Sequence, residues 1–225
     1  PMRPTDAELR ALARRDPALG RALRRLPPFP GFPDGSHHAS RTYFNSLVRS
    51  ITYQMLTGKA AETIYRRVTA LTPGRSFPRP EELLALPDDR LRACGLSSDK
   101  TRAILALAAL TASGRLPLSK LRHRSDEDII GELTQVRGIG VWTAQMFLIF
   151  RLGRLDVMPL NDVGIQEGIR RLDARSSRPS PREVAERAAP WRPLASVASW
   201  ALWQIVDAEP SAPSSSTARA ATAPL

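Results

Sequence analysis

The chain has 225 residues, 42% of them hydrophobic, and carries 33 Lys+Arg against 22 Asp+Glu for a formal net charge of +11. This length allows one large domain or two smaller lobes sharing a core, and no apolar run approaches the roughly 18 residues of a membrane span. The single cysteine, Cys94, excludes an internal disulfide, a cysteine-ligated zinc and a four-cysteine iron–sulfur cluster. The first forty residues are rich in Arg and Pro without an apolar stretch, so no secretory leader is expected and a cytoplasmic protein is. His37, His38 and His123 show no metal-ligand spacing and read as solvated loop residues. Only Lys59, Lys100 and Lys120 are lysines. A GC-rich genome accounts for arginine over lysine, but not for the excess over acids. That excess points to a polyanion such as nucleic acid, because guanidinium groups grip phosphates bidentately and release counterions.

In chain order the pattern is helical nearly throughout. "TDAELRALARR" predicts a helix over 5–15 with Thr5 as N-cap and Glu8 closing a capping box, and Pro17 opens a second helix reaching Arg25. "LPPFPGFPDG" is a breaker-rich connection. "RTYFNSLVRSITYQML" puts Tyr43, Phe44, Leu47, Ile51 and Met55 at helical spacing, and "TGKAAETIYRRVTAL" continues after a break near Thr57-Gly58. Two short helices follow around "EELLAL" and "DDRLRAC", with Gly95 as a C-terminal cap and Ser97 or Ser98 capping "DKTRAILALAALTAS". Ser125 starts "SDEDIIGELTQV" with Asp128 three residues on, another capping-box pattern. "NDVGIQEGIRRL", "SPREVAERAA" and "LASVASWALWQIVD" complete the helices. No strand pattern and no internal repeat is evident, so an all-α fold is expected. The Ala/Ser/Pro-rich segment 208–225 reads as a disordered tail after a helical domain over 1–207.

The stretch "LTQVRGIGVWTAQMF" (133–147) separates two apolar helices by Gly-Ile-Gly. Gly138 and Gly140 admit backbone angles closed to other residues and let another molecule come close. The helix starting near Val141 is apolar on nearly every side, so it is expected to be buried lengthwise with only its N-terminus facing solvent. Such an end, with its unpaired amides, suits an anion, and in so basic a chain a DNA phosphate.

The whole pattern, Leu133, Gly138-Ile139-Gly140 and Thr143-Ala144, resembles the helix-hairpin-helix of a DNA-repair superfamily. The resemblance covers roughly residues 40–207. "SLVRSITYQMLTGKAAETIYRR" is similar to the family's Gln-Gln-Leu-Ser-x-Lys-Ala-Ala helix pair, "LRACGLSSDKTRAILALA" to its Leu-Arg-x-x-Gly-Leu-Ser-x-x-Lys stretch. "WRPLASVASWALW" is similar to its Trp-x-Pro-x-Arg-Ser-x-Ala-x-x-x-x-Trp. Together these resemble the alkylpurine DNA glycosylases, in the 3-methyladenine glycosylase II (AlkA-like) branch. The resemblance implies two helical lobes around a DNA-binding cleft, with the hairpin at about 126–152, and a compact form without the N-terminal β domain of longer relatives. It also implies a monomer acting on double-stranded DNA with alkylated bases, in the cytoplasm at the nucleoid. No cofactor is implied as a requirement, and no iron–sulfur cluster, but a monovalent cation (sodium or potassium) on hairpin backbone carbonyls is.

Site roles follow from the same resemblance. Asp162 stands three residues after Pro159, where the superfamily places its essential aspartate; on its own it reads as a plain helix N-cap, and both roles are compatible. An ionised carboxylate there stabilises an oxocarbenium-like transition state as the C1′–N bond breaks. Trp142 occupies the position of the lysine nucleophile of strand-cutting members, which implies a monofunctional enzyme. Trp142 and Trp203 match two base-pocket tryptophans, where indole faces attract a cationic base; Trp203, three residues after Trp200, reads alternatively as core. Met55 stands at the family's DNA wedge, with Gln54 beside it, and reads alternatively as core. Arg137, Gly138, Ile139, Gly140 and Thr143 form the phosphate-binding hairpin. Met146 and Val163, at positions aromatic in some relatives, and Ala195, in place of the motif's arginine, suggest a more open pocket. "RSSRPSPREV" lengthens the spacing to Trp191. The competing readings are a non-catalytic hairpin DNA-binding module, a bifunctional glycosylase/lyase and an RNA-binding protein.

Overall fold

A computed structural model describes residues 2–33, 41–56, 58–72 and 77–208. Twelve α-helices are present among them and no strand, apart from one antiparallel bridge between Met2 and Phe32. The chain divides into two compact units, one built from residues up to 33 together with 148–208, the other from 41–147. His37, His38, Thr57 and the expected tail from 209 onward lie outside the described residues. Ala208, expected in that tail, is the last residue of a helix.

In the first unit, α1 (Asp6–Arg15) and α2 (Pro17–Arg25) begin as the sequence predicts. The Thr5 hydroxyl accepts the Glu8 amide while Glu8 returns a bond to the Thr5 amide, and Pro17 occupies the first turn of α2. Gly20 lets the two helices touch, since a Cβ there would stand 2.8 Å from that of Ala13. α10 (Val163–Leu172), α11 (Pro181–Ala188) and α12 (Ala195–Ala208) complete the unit. The "RSSRPSPREV" insertion becomes the lead-in and start of α11, with a capping box between Ser180 and Glu183 and an Arg175–Glu183 ion pair.

One buried carboxylate ties these helices. Asp16, 5% exposed, accepts the Leu19 amide at 3.0 Å as N-cap of α2, the Trp191 indole N–H at 2.6 Å and an Arg187 N–H at 2.5 Å. Burial alone would raise its pKa, but the bonds from Arg187, Leu19 and Trp191 outweigh that and hold it below the ordinary aspartate value. Arg187 also bonds both oxygens of Asp173, at 2.8 and 3.0 Å. The termini of α1 and α2 are thus fastened to α11 and to fully buried Trp191.

The second unit packs α3 (Tyr43–Tyr53), α4 (Gly58–Thr69), α5 (Pro80–Leu84), α6 (Asp88–Ala93) and α7 (Ser98–Ala112) with α8 (Asp126–Thr134) and α9 (Val141–Met146). α7 is its hub, meeting α3, α5 and α6. Its central residues Ile104, Leu107 and Ala108 are fully buried, each leucine-sized side chain contributing about 1.5–3 kcal/mol. Gly95 takes φ +102°, the left-handed geometry of a helix stop, and Ser97 caps α7. Two expectations need correction. α3 ends at Tyr53, so Met55 is not on the helix, and α8 stops at Thr134 rather than at Val136. The chain passes from one unit to the other at Phe147–Leu148, where α9 widens into a π-helical turn over Phe147–Arg151.

The Asp16 network sets a pH dependence. A carboxyl whose folded pKa is depressed stabilises the fold above the unfolded value near 4 and loses that contribution as pH falls through the folded value. Asp16→Asn should therefore lower the melting temperature at pH 7, by roughly 2–4 kcal/mol in stability for a broken buried charge pair. Thermal melts should show the gap to wild type closing below about pH 4.

Candidate active site

The hairpin forms as expected in outline and differs in detail. Gly138 has φ +83°, and a Cβ on it would meet the Ala103 Cβ of α7 at 2.9 Å, so both backbone angle and space demand glycine. Gly140 is different: its φ of −91° is open to any residue, and a side chain there would meet nothing within 4 Å. What Gly140 provides is a bare approach to the start of α9, where it is the N-cap and offers no side-chain acceptor to the first-turn amides. Val141 and Trp142 are 51% and 38% exposed, whereas Thr143, Ala144 and Met146 are buried. The helix is thus sunk lengthwise with its N-terminus open.

Of the expected phosphate-binding residues, two turn their side chains away from solvent. The Ile139 side chain is buried, and the Thr143 side chain is turned inward, its hydroxyl 3.4 Å from the Gln54 amide nitrogen. Arg137 is exposed and pairs with Asp99 at 3.5 Å, a surface ion pair of little weight that a phosphate would readily exchange.

Gln54 and Met55 form the tip of a turn closing α3, in which the Leu56 amide bonds the Tyr53 carbonyl at 3.3 Å. Gln54 at φ −53°, ψ 131° and Met55 at φ +55° have the angles of a type II turn, whose third position strongly favours glycine or asparagine. A methionine there carries about 1–2 kcal/mol of backbone strain. It is also 98% exposed, which overturns the core reading. The Gln54 side chain is engaged within the protein: its Nε2 donates to the Gly138 carbonyl at 2.9 Å and ties the turn to the hairpin. Sequence reasoning missed Lys100, whose ammonium donates to the carbonyls of Thr52 and Gln54 at 2.8 and 2.6 Å. Burial pushes its pKa below the usual lysine value.

The other unit carries the carboxylate. Asp162 caps α10, its Oδ1 accepting the Ile165 amide at 2.8 Å and the Trp203 indole N–H at 3.1 Å. Its own amide bonds the Pro159 carbonyl, and Gln166 Nε2 bonds that of Leu160, so the loop ahead of it is held at both ends. Trp203 reaches Asp162 because α10 presents Gly164 and Gly168 to α12. A Cβ on Gly164 would stand 2.8 Å from the indole and 2.9 Å from the carboxylate, and one on Gly168 2.7 Å from Leu202. Trp200 is the core tryptophan, 9% exposed and edge-on to Phe29, whereas Trp203 is half-buried with Phe150 stacked 5.5 Å from it. Phe150 was missed because it lies on the π-helical turn, where a 3.6-residue period misplaces side chains.

Val163 is 42% exposed next to Asp162, but Met146 is 1% exposed and opens no pocket. Ala195 is buried at the start of α12, its amide bonding Asp156, which also pairs with Arg192. Trp142 belongs to the hairpin's unit, Asp162 and Trp203 to the other. Among the described residues no three His, Cys, Asp or Glu side chains gather as a metal site, and no helix is long and apolar enough to cross a membrane.

The chain is similar to known proteins over most of its length. A DNA-3-methyladenine glycosylase of Schizosaccharomyces pombe is 38% identical over 156 residues, covering 68% of each chain. The structure of the 3-methyladenine DNA glycosylase of that yeast in complex with abasic DNA matches with TM-score 0.76 and 32% identity, over 89% of this chain and 96% of its own. A DNA-3-methyladenine glycosidase from Bacillus halodurans matches equally, with TM-score 0.76 and 33% identity over 88% of each chain. Residues 48–193 match the HhH-GPD superfamily of base excision DNA repair proteins, and the chain belongs to that family.

Proposed function

We propose that the protein is a monofunctional DNA glycosylase that removes alkylated purines, such as 3-methyladenine and 7-methylguanine, from double-stranded DNA and so begins base excision repair. It acts as a monomer in the cytoplasm, at the nucleoid. The observation that carries the reading is the fixed carboxylate of Asp162, oriented by the Ile165 amide and the Trp203 indole in a chain of this family.

The target nucleotide is extruded from the duplex, Met55 filling the space it leaves and the hairpin amides holding a neighbouring phosphate. The C1′–N bond breaks with its electron pair leaving on the base. An N-alkylated purine already carries a positive charge, so it departs neutral without a strong acid. Positive charge moves to the sugar, where the Asp162 carboxylate stabilises it. Water then bonds to C1′, giving its proton to Asp162 or to solvent, and an abasic site remains. Trp142 and Trp203 offer indole faces to the cationic base at about 0.5–2 kcal/mol each. Trp142 in place of an amine leaves no Schiff base to form at that position, which supports a glycosylase without strand cleavage. A monovalent cation fits the hairpin's donors, which are neutral main-chain oxygens. The carbonyls of the 134–139 turn would hold it, adding positive charge beside the phosphate.

Single-turnover excision on duplexes bearing 7-methylguanine or 3-methyladenine, scored with and without alkali, tests this. Wild type should give alkali-dependent breaks only, and Asp162→Asn should lose roughly 100-fold or more in rate while keeping its affinity for DNA. Wild-type excision by Asp162→Asn would refute the catalytic assignment; breaks without alkali would mean a lyase. Binding without any release would favour a hairpin module that only holds DNA. Affinity should fall linearly in log–log against salt, and Arg137→Ala should reduce that slope by about 1, equally for damaged and undamaged duplex. A flat salt response would count against the phosphate-binding hairpin.

A further inference from the structure

The turn carrying Met55 pays for its exposure with strain, so something must hold it in place. A strained, fully exposed side chain persists only where its surroundings over-determine it. The surroundings here are unusual in that one helix end supplies nearly all of them. In the first two turns of α7, Lys100 bonds the Thr52 and Gln54 carbonyls on either side of the turn's start, and Ala103, three residues on and so on the same face, abuts Gly138. Asp99 in the same turn pairs with Arg137 of the hairpin. Gln54 closes the loop, its carbonyl on Lys100 and its side chain on the Gly138 carbonyl. The lysine therefore takes the carbonyls that α3 leaves unsatisfied where it ends, and does so with a charge, which makes these bonds stronger than neutral ones. Tyr53, at the base of the turn, is held from the other side by Arg49 lying 3.9 Å over its ring and by its hydroxyl bond to Glu62.

We propose that Lys100 is a positioning residue for the DNA wedge: its two bonds to the Thr52 and Gln54 carbonyls lock the turn that projects Met55, and Gln54 fastens that turn to the Gly138 hairpin. Phosphate grip and wedge insertion are then set by one rigid piece of protein, with α7 as its frame. The ammonium touches no reacting atom; it acts through Met55. This rests on the glycosylase reading for the wedge role of Met55 and adds the residue that aims it.

The test uses the full chain and a duplex carrying a tetrahydrofuran abasic analogue with 2-aminopurine opposite it, whose fluorescence rises when a wedge unstacks it. Wild type should raise the signal, and Met55→Ala should abolish most of the rise. Lys100→Met should do the same and weaken analogue-specific affinity roughly tenfold, the scale of losing a hydrogen bond to a charged group. In the double variant no further loss should appear, because the two residues serve one insertion. A lysine that only stabilised the fold would lower the melting temperature yet leave the fluorescence rise and the Met55→Ala effect intact, and that result overturns the proposal. Additive losses overturn it as well. Should Lys100→Met fail to fold, Gln54→Leu decides: it cuts the tie to the hairpin and leaves Lys100 on the main chain, and a wild-type signal from it overturns the proposal. If Met55→Ala keeps the full rise, Met55 is no wedge and the proposal fails with base excision untouched. Conversely, the predicted fluorescence pattern without release of any alkylated base sinks the glycosylase reading and leaves Lys100 in its role.

Discussion

The first turn of an α-helix exposes amides that nothing within the helix can satisfy, and how each start is finished decides most of what this protein is. At α2 the acceptor is Asp16, which also takes Arg187 and Trp191 and so fastens α1 and α2 to α11. At α12 the Ala195 amide goes to Asp156 and the Ser196 amide to the Leu155 carbonyl. At α10 the acceptor is Asp162, shared with Trp203. At α9 the N-cap is a glycine and contributes no side-chain acceptor at all.

The contrast between α9 and α10 separates two uses of the same electrostatics. A bare, Gly-lined start leaves amides and dipole for an external anion. A start capped by a carboxylate, as at α10, satisfies those amides from within the chain and fixes the orientation of the carboxylate between the Ile165 amide and the Trp203 indole. Both kinds of start stand in one chain of net charge +11, a charge that draws a polyanion at long range.

Close approach is the second recurring means. Gly138 of the hairpin turn against Ala103, Gly164 against Trp203 and Gly168 against Leu202 each bring two segments nearer than a side chain would permit. The result is rigidity where function needs it. The hairpin is seated on α7 and the indole on the carboxylate. The strained turn at Met55 is clamped by Lys100 and Gln54 rather than left to find its own place.

Much of this was legible in the residues alone, for reasons that are local. Caps at Thr5, Ser97, Ser125 and Ser180, the proline opening α2 and the glycine stop at Gly95 obey rules that involve a few neighbouring backbone groups, so the helices and an all-α fold follow from them. Asp162 as an N-cap was legible for the same reason, and the Gly-Ile-Gly hairpin by its spacing. What the tertiary structure alone decided depends on partners distant in sequence. That Met55 leaves its helix, that Gln54 serves the hairpin, and that Thr143 and Met146 turn inward are set by α7 and its neighbours. Trp200 goes to the core and Trp203 to the carboxylate because Gly164 and Gly168 admit α12 at one face only. Lys100 stands at the lysine of the Leu-Arg-x-x-Gly-Leu-Ser-x-x-Lys stretch, but no local signal gives the contacts that it and Phe150 make. The first is defined by carbonyls some 46 and 48 residues away, the second by a π-helical turn that breaks the period from which faces are read.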